Sequence, residues 1–226
     1  MAETLRFDVV IGGACLIDGS GAPRRNMDVA INGDRIAAVE APTDTANWLS
    51  GLYIDASNRV LSPGFIDVHT HDDNAVLATP TMPAKISQGV TTVIVGNCGI
   101  SLAPIKNIDP PPPLNLLGRR EQFCFASMLD YLAAVDEIQP SVNVAALVGH
   151  GTMRVGAMDN LSRAANKSEI DLMSDRLANS LKAGAIGMSS GLYYKTSVAA
   201  STDEVIALAK VVSQVNCIYT THMRDE

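Results

Sequence analysis

With 226 residues, 47% of them hydrophobic and 18% charged, the chain carries enough apolar material for one large globular domain or two small ones. A formal net charge of -7 provides no basic surface for phosphate backbones, which argues against nucleic-acid binding. Four cysteines (Cys15, Cys98, Cys124, Cys217) form no Cys-x-x-Cys pair, and no apolar run is long enough to span a bilayer. Glu3 and Asp8 interrupt an N-terminal region without a cleavage-site pattern, so the reading is a cytoplasmic protein with no signal peptide.

Residues 1 to about 60 read as short β-strands joined by tight turns. Phe7 to Ile11 is apolar and β-branched, and Gly12-Gly13 is expected to break it. Asp18-Gly19-Ser20-Gly21 marks a turn. Asp28 to Ile31 and Arg35 to Val39 flank the hairpin signal Asn32-Gly33, and Tyr53 to Asp55 and Arg59 to Leu61 follow as further strands. Val9-Val10-Ile11-Gly12-Gly13 has the look of a dinucleotide turn, but Ala14 and Ile17 occupy the second and third glycine positions and no helical pattern follows.

From Leu61 the pattern changes to strands alternating with helices. Phe65 to Thr70 is a short strand, in which His69 and His71 share a face with Asp67 while Val68 and Thr70 face the other way. A helical stretch from Met82 to Gln88 stops at Gly89. Val90 to Val95 is a strand buried on both faces, ending at Gly96-Asn97-Cys98-Gly99. Residues 100 to 125 form a loop with four consecutive prolines, of the length expected for a functional or mobile segment. Ser127 with Asp130 caps a helix bearing Leu129, Leu132 and Val135 on one face. Val142 to Val148 is the third strand, followed by Gly149-His150-Gly151. Ser168 with Asp171 caps a helix with the stripe Ile170, Met173, Leu177 and Leu181, stopped by Gly184. Ala185 to Ser189 is the fourth strand. Ser201 with Glu204 caps a helix bearing Val205, Leu208, Ala209 and Val212, and Cys217 to Thr221 is the fifth strand, ending at His222.

Strands separated by helices imply βαβ units and a parallel sheet, and in a parallel β/α barrel functional groups gather at the C-terminal strand ends. All four histidines (His69, His71, His150, His222) and Cys98 fall there. Paired imidazoles at a strand end suit a divalent metal. Five strands do not close a barrel of eight, which leaves an open α/β sheet or the N-terminal part of a longer barrel.

Pro63-Gly64-Phe65-Ile66-Asp67-Val68-His69-Thr70-His71 resembles the first barrel strand of the metal-dependent amidohydrolase superfamily. Gly96-Asn97-Cys98-Gly99, Gly191-Leu192-Tyr193-Tyr194 and Thr221-His222-Met223-Arg224-Asp225-Glu226 bring it closest to the N-acyl-D-amino acid deacylases, or D-aminoacylases. The resemblance implies an α/β fold, a (β/α)8 TIM-type barrel of which residues 61–226 are the first five units, with residues 1–60 as part of a small flanking β-sandwich. It implies zinc, one or two ions, held by His69, His71, Cys98 and His222, and hydrolysis of the amide of a small-molecule N-acyl-D-amino acid. It also implies that a catalytic aspartate and a further histidine ligand lie beyond residue 226, on later strands of a longer enzyme. Cys98 read without the resemblance is a buried, inert thiol. Tyr194 matches a tyrosine near the substrate carbonyl, or is a packed aromatic. Arg224 pairs with a substrate carboxylate, or with Asp225 or Glu226. His150 shapes the substrate pocket, or its glycine neighbours mark only a tight turn.

Two rival chemistries are open to the sequence. Gly187-Met188-Ser189-Ser190-Gly191 fits G-x-S-x-G, with Ser189, Asp203 and His222 in the order of an α/β-hydrolase triad, although no helix start follows Ser189 until Ser201. A cyclic amidase of the hydantoinase or dihydroorotase kind requires a carboxylated lysine on the fourth strand, where Ala185 to Ser189 has none and Lys195 comes later, in a loop.

Overall fold

The computed structural model describes residues 4–225; Glu3 and Glu226 lie outside them. The chain divides into two compact units between Gly64 and Phe65.

The first unit is one mixed sheet. Strand β1 (Leu5–Leu16) pairs antiparallel with β2 (Arg25–Asn32), which pairs antiparallel with β3 (Arg35–Glu40). On its other edge β1 pairs parallel with β4 (Trp48–Asp55) and, further along, with β5 (Val60–Leu61). Gly12-Gly13 does not end the first strand. It is a bulge within β1, with a register shift between Ile11 and Ala14 and Gly13 at φ +70°. The Gly13 amide donates to the Asp28 carboxylate at 2.7 Å, which also accepts from the Thr45 hydroxyl at 2.6 Å. The acceptor lies 15 residues from Gly13, on another strand, beyond what the local sequence pattern reveals. Strand continues past the glycines, so the dinucleotide resemblance fails in space as well.

The second unit is α/β. Its strands β6 (Phe65–Asp67), β7 (Val90–Val95), then, after the short antiparallel pair β8 (Ile105–Lys106) and β9 (Cys124–Phe125), β10 (Asn143–Gly149), β11 (Gly187–Gly191) and β12 (Ile218–His222) build the main sheet. The sheet order is β12-β11-β10-β7-β6, every pairing parallel. Parallel neighbours require crossovers, and helices supply them: α1 (Ala75–Ala78), α2 (Pro83–Ile86), α3 (Met128–Ile138), α4 (His150–Ala157), α5 (Lys167–Lys182) and α6 (Thr202–Gln214). Val93 and Val95 of β7, Ala146 and Val148 of β10 and Met188 of β11 pack with Met173 and Leu177 of α5 and Leu208 and Val212 of α6 in one core. The edge strands differ: Phe65 is 63% and Ile218 45% exposed.

Several local expectations change. Strand β6 ends at Asp67, so His69 and His71 lie on the irregular segment beyond it, and the strict alternation of a strand does not govern them. The 100–125 stretch is packed, because Ile100, Leu102, Leu114, Leu117 and Phe123 are all buried. On α3 the inward face is Met128, Tyr131 and Val135, with Leu129 exposed. Helix α4 starts directly after β10, where a turn was expected. The cap of α5 is Asn166 with Glu169, in a reciprocal box, rather than Ser168 with Asp171. Asn166→Ala is expected to cost about 0.5–2 kcal/mol and Ser168→Ala only a few tenths, as measured by denaturant titration; the reverse ranking would contradict this cap.

Candidate metal centre

The site is built at the C-terminal ends of β6, β7, β11 and β12. The Gly96–Gly99 turn closes β7 with Gly96 at φ +79°, Cys98 at +52° and Gly99 at +76°. Only glycine adopts such angles freely, and space enforces the choice here. A Cβ on Gly96 would lie 2.1 Å from the Leu147 carbonyl oxygen, and one on Gly99 would lie 2.6 Å from the Gly191 nitrogen. The turn is thus wedged against β10 and β11, with Cys98 buried. Asn97 Nδ2 donates to the carbonyls of Ile94 at 2.8 Å and Val68 at 3.3 Å, tying the histidine segment to the cysteine turn.

His69 Nε2 lies 3.0 Å from Cys98 Sγ. Among the described residues, donor atoms of His69, His71 and Cys98 all lie within 4.8 Å of one another. Nitrogen and sulfur donors on one tetrahedral zinc lie roughly 3.5 Å apart, so small side-chain rotations place all three on one ion. His71 Nδ1 is buried without a hydrogen-bond partner, as expected of an atom kept for a ligand. Burial and the neighbouring His69 lower the His71 pKa against the pull of Asp72, which favours the neutral, metal-binding imidazole. Burial pushes the Cys98 thiol up, partly offset by a hydrogen bond from Tyr194. A borderline-soft set of two imidazoles and one thiol fits zinc.

His222 ends β12 in register with Gly191 and stands outside this three-residue cluster. Its Nδ1 lies 3.3 Å from the Tyr194 hydroxyl, which also reaches Cys98. Tyr194 therefore bridges the cysteine and the fourth histidine.

Lys85 holds the histidine segment from below. Its ammonium contacts Asp67 at 2.6 Å and Asp72 at 2.9 Å, and donates to the Thr70 hydroxyl at 3.3 Å. Asp67 does not project beside the two histidines as a ligand. Its other oxygen accepts from the His69 amide at 3.3 Å, and the Lys85 partner lowers its pKa. Asp73, missed in the sequence, is buried, and its carboxylate accepts from the Gly96 amide at 3.2 Å. Burial pushes its carboxyl up to about 7 despite that bond. The run His71-Asp72-Asp73 was the available signal, since carboxylates beside a ligand commonly bind the groups that position it.

His150 and Arg224, expected near the substrate, each have protein partners in the structure. His150 is the first residue of α4 and fully buried; its Nε2 meets Glu204 Oε1 at 2.9 Å. Glu204 also pairs with Arg154, which donates to the carbonyls of Thr196 and Arg163 at 2.8 Å each. His150 belongs to this internal network, which is inaccessible to a substrate. Arg224 donates to the carbonyls of Val198 at 2.5 Å and Ala200 at 2.9 Å, and so supports the loop that carries Tyr194. Ser189 is fully buried and no helix starts after β11 until Thr202, which removes the nucleophile-elbow reading. Strand β11 contains no lysine and Lys195 is exposed in the loop after it, which removes the bridging lysine of a cyclic amidase.

The chain belongs to the amidohydrolase family, whose sequence profile matches residues 53–212. It is 46% identical over 225 residues to D-aminoacylase of Alcaligenes xylosoxydans xylosoxydans, covering 100% of this chain and 46% of that protein. It is 48% identical over 220 residues to the N-acyl-D-aspartate deacylase of the same organism, covering 97% and 44%. The solved structure of N-acyl-D-glutamate deacylase from Bordetella bronchiseptica, complexed with zinc and a phosphonate inhibitor, matches with a TM-score of 0.91 at 41% identity, over 98% of this chain and 46% of that one. The chain thus spans slightly less than half the length of these relatives. With such neighbours, the parallel sheet of the second unit is that of a partial β/α barrel.

The buried network makes two predictions. Glu204→Gln leaves Arg154 buried without its counter-charge and is expected to cost about 3–5 kcal/mol by urea titration at neutral pH; a loss under about 1 kcal/mol would be an ordinary hydrogen bond and contradict it. Burial raises the Glu204 pKa, but bonds from His150 and Arg154 outweigh it and hold the carboxyl at about 2 against an ordinary 4.5. Burial likewise lowers the His150 pKa below 6.5. Both groups bind protons more readily in the unfolded chain, so stability is expected to fall as pH drops below 6.5, and again between 4.5 and about 2. Urea midpoints measured across that range check the sign.

Proposed function

We propose that the protein is a zinc-dependent hydrolase of N-acyl-D-amino acids, releasing a carboxylate and a free D-amino acid. The observation that carries this reading is the convergence of His69, His71 and the buried thiol of Cys98 at the ends of β6 and β7. A thiol as third donor, with no lysine on β11, is the donor set expected of a deacylase and not of a cyclic amidase. The identities of 46% and 48% to proteins named for acting on D-amino acid derivatives supply the substrate class.

In this reading His69, His71, Cys98 and His222 hold one or two zinc ions. Zinc so bound lowers the pKa of water to about 7 and polarises an amide carbonyl. The chain's own part is positional. Lys85 fixes the histidine segment through Asp67, Thr70 and Asp72. The Tyr194 hydroxyl lies between Cys98 and His222; in this reading it would donate to the oxygen on which charge develops during acyl transfer. Arg224 and the Arg154–Glu204–His150 network hold the loop that carries it. Asp67 and Asp72 are engaged by Lys85 and Asp73 lies under Gly96; proton transfer to the leaving amine is, by the family resemblance, the task of an aspartate beyond residue 226. The barrel is proposed to complete its strands beyond the exposed edges β6 and β12, with residues 1–60 forming part of a flanking sandwich and residues 61–226 the first five β/α units. The compartment is proposed to be the cytoplasm; no described helix is long and apolar enough to cross a membrane.

Assays of the intact protein on N-acetyl-D-amino acids and their L enantiomers test the reading. Amine release is expected from the D series alone, with loss on chelation and return with zinc. His69→Ala and Cys98→Ala are each expected to lower kcat/KM by more than the roughly 10–100-fold typical of a group that only supports a ligand. Hydrolysis that survives chelation, or an equal rate on the L series, would overturn it.

A further inference from the structure

We propose that Ser189, the central serine of the G-x-S-x-G run, is a positioning residue that sets the thiol of Cys98. The proposal rests on Cys98 being a metal ligand and extends that reading to a residue on a different strand. Ser189 sits in the middle of β11, in register with Gly149 of β10 and Thr220 of β12. It is fully buried. Its Oγ donates to the Gly96 carbonyl at 2.5 Å and accepts from the Gly99 amide at 2.9 Å. These two bonds fall on either side of Asn97-Cys98, so a single hydroxyl closes both ends of the cysteine turn.

The turn needs such a clamp. Cys98 is at φ +52°, a conformation that a residue with a Cβ leaves when released. The peptide groups that Ser189 engages are the ones that must stay fixed for Cys98 to remain there. Other contacts hold the periphery: Asp73 binds the Gly96 amide at 3.2 Å, Thr152 donates its amide to the Gly99 carbonyl at 3.2 Å, and Asn97 binds Ile94 and Val68. None of these replaces a donor to the Gly96 carbonyl or an acceptor for the Gly99 amide. A serine suits the place because a hydroxyl gives and accepts at once; alanine leaves both backbone groups buried and unpaired. The hydroxyl's two hydrogen bonds and complete burial also explain why this serine is no nucleophile. Ser189 joins the thiol-bearing turn to β11, the strand between β10 and the His222-bearing β12.

The test is cobalt(II) substitution of the intact protein, followed through the thiolate-to-cobalt charge-transfer band in the near ultraviolet and through cobalt affinity in competition with a chelator. Ser189→Ala is expected to shift or weaken the band and to lower affinity about 10–100-fold, as for a lost support of a ligand. Ser180→Ala, which removes a comparably buried hydroxyl bonded to the Arg176 carbonyl inside α5, is expected to change neither. Ser189→Gly, which also lacks the hydroxyl and adds no sulfur donor, is expected to match alanine, and carries the test if Ser189→Ala does not accumulate as folded protein. A band and affinity unmoved by Ser189→Ala, or by Ser189→Gly where that variant stands in, overturn the proposal. So does an equal loss in Ser180→Ala, which would mark general destabilisation. Absence of the band from the unsubstituted protein overturns the ligand reading of Cys98 itself, a result distinguishable from the first two.

Discussion

The rest of the site depends on how closely the Gly96–Gly99 turn approaches the two strands beside it. Cβ atoms at Gly96, Gly99 and Gly191 would lie 2.1 Å, 2.6 Å and 2.2 Å from the backbones of Leu147, Gly191 and Cys98 respectively. Bare backbone on both sides lets a cysteine at the end of β7 reach the histidines that follow β6. A side chain at any of these glycines would push the turn away by more than a van der Waals radius can absorb, and the thiol would move with it. The buried hydrogen bonds of Asn97, Ser101 and Thr152 then hold a segment that has no regular secondary structure of its own.

A second layer of support lies deeper. His150, Arg154 and Glu204 form a fully buried ionic network at the start of α4 and α6. Such networks contribute little net stability compared with apolar packing, but removing one member is costly. Here the network fixes loop carbonyls at Leu161, Arg163 and Thr196, and the last of these belongs to the loop bearing Tyr194. Arg224 reaches the same loop at Val198 and Ala200. The aromatic hydroxyl between Cys98 and His222 is therefore held from two directions by arginines that donate to backbone.

Much of this was legible in the sequence where the signal was local. β-branched Val90 to Val95, the capping pairs Ser127/Asp130 and Ser201/Glu204, and Gly184 after the Met173/Leu177/Leu181 stripe each announce an element through neighbouring residues. The gathering of His69, His71 and Cys98 followed from placing them at parallel strand ends. What the sequence hid depends on distant partners. Asp28 satisfies the Gly12-Gly13 bulge from another strand, so a bulge read as a break. Glu204 lies 54 residues from His150, so a buried ion partner read as a pocket residue or a turn. Ser189 bonds to groups about 90 residues away, so a clamp carried the pattern of a nucleophile. The cap of α5 went to Asn166 because its amide oxygen meets the Glu169 nitrogen, a competition between adjacent candidates that spacing alone does not decide.

Zinc K-edge X-ray absorption on the purified, zinc-loaded protein tests the central claim most directly, because it reports the atoms bound to the metal without reference to turnover. The account predicts a sulfur scatterer at about 2.3 Å together with nitrogen scatterers at about 2.0–2.1 Å, the sulfur vanishing in Cys98→Ala. A first shell of nitrogen and oxygen alone in the unsubstituted protein would contradict it.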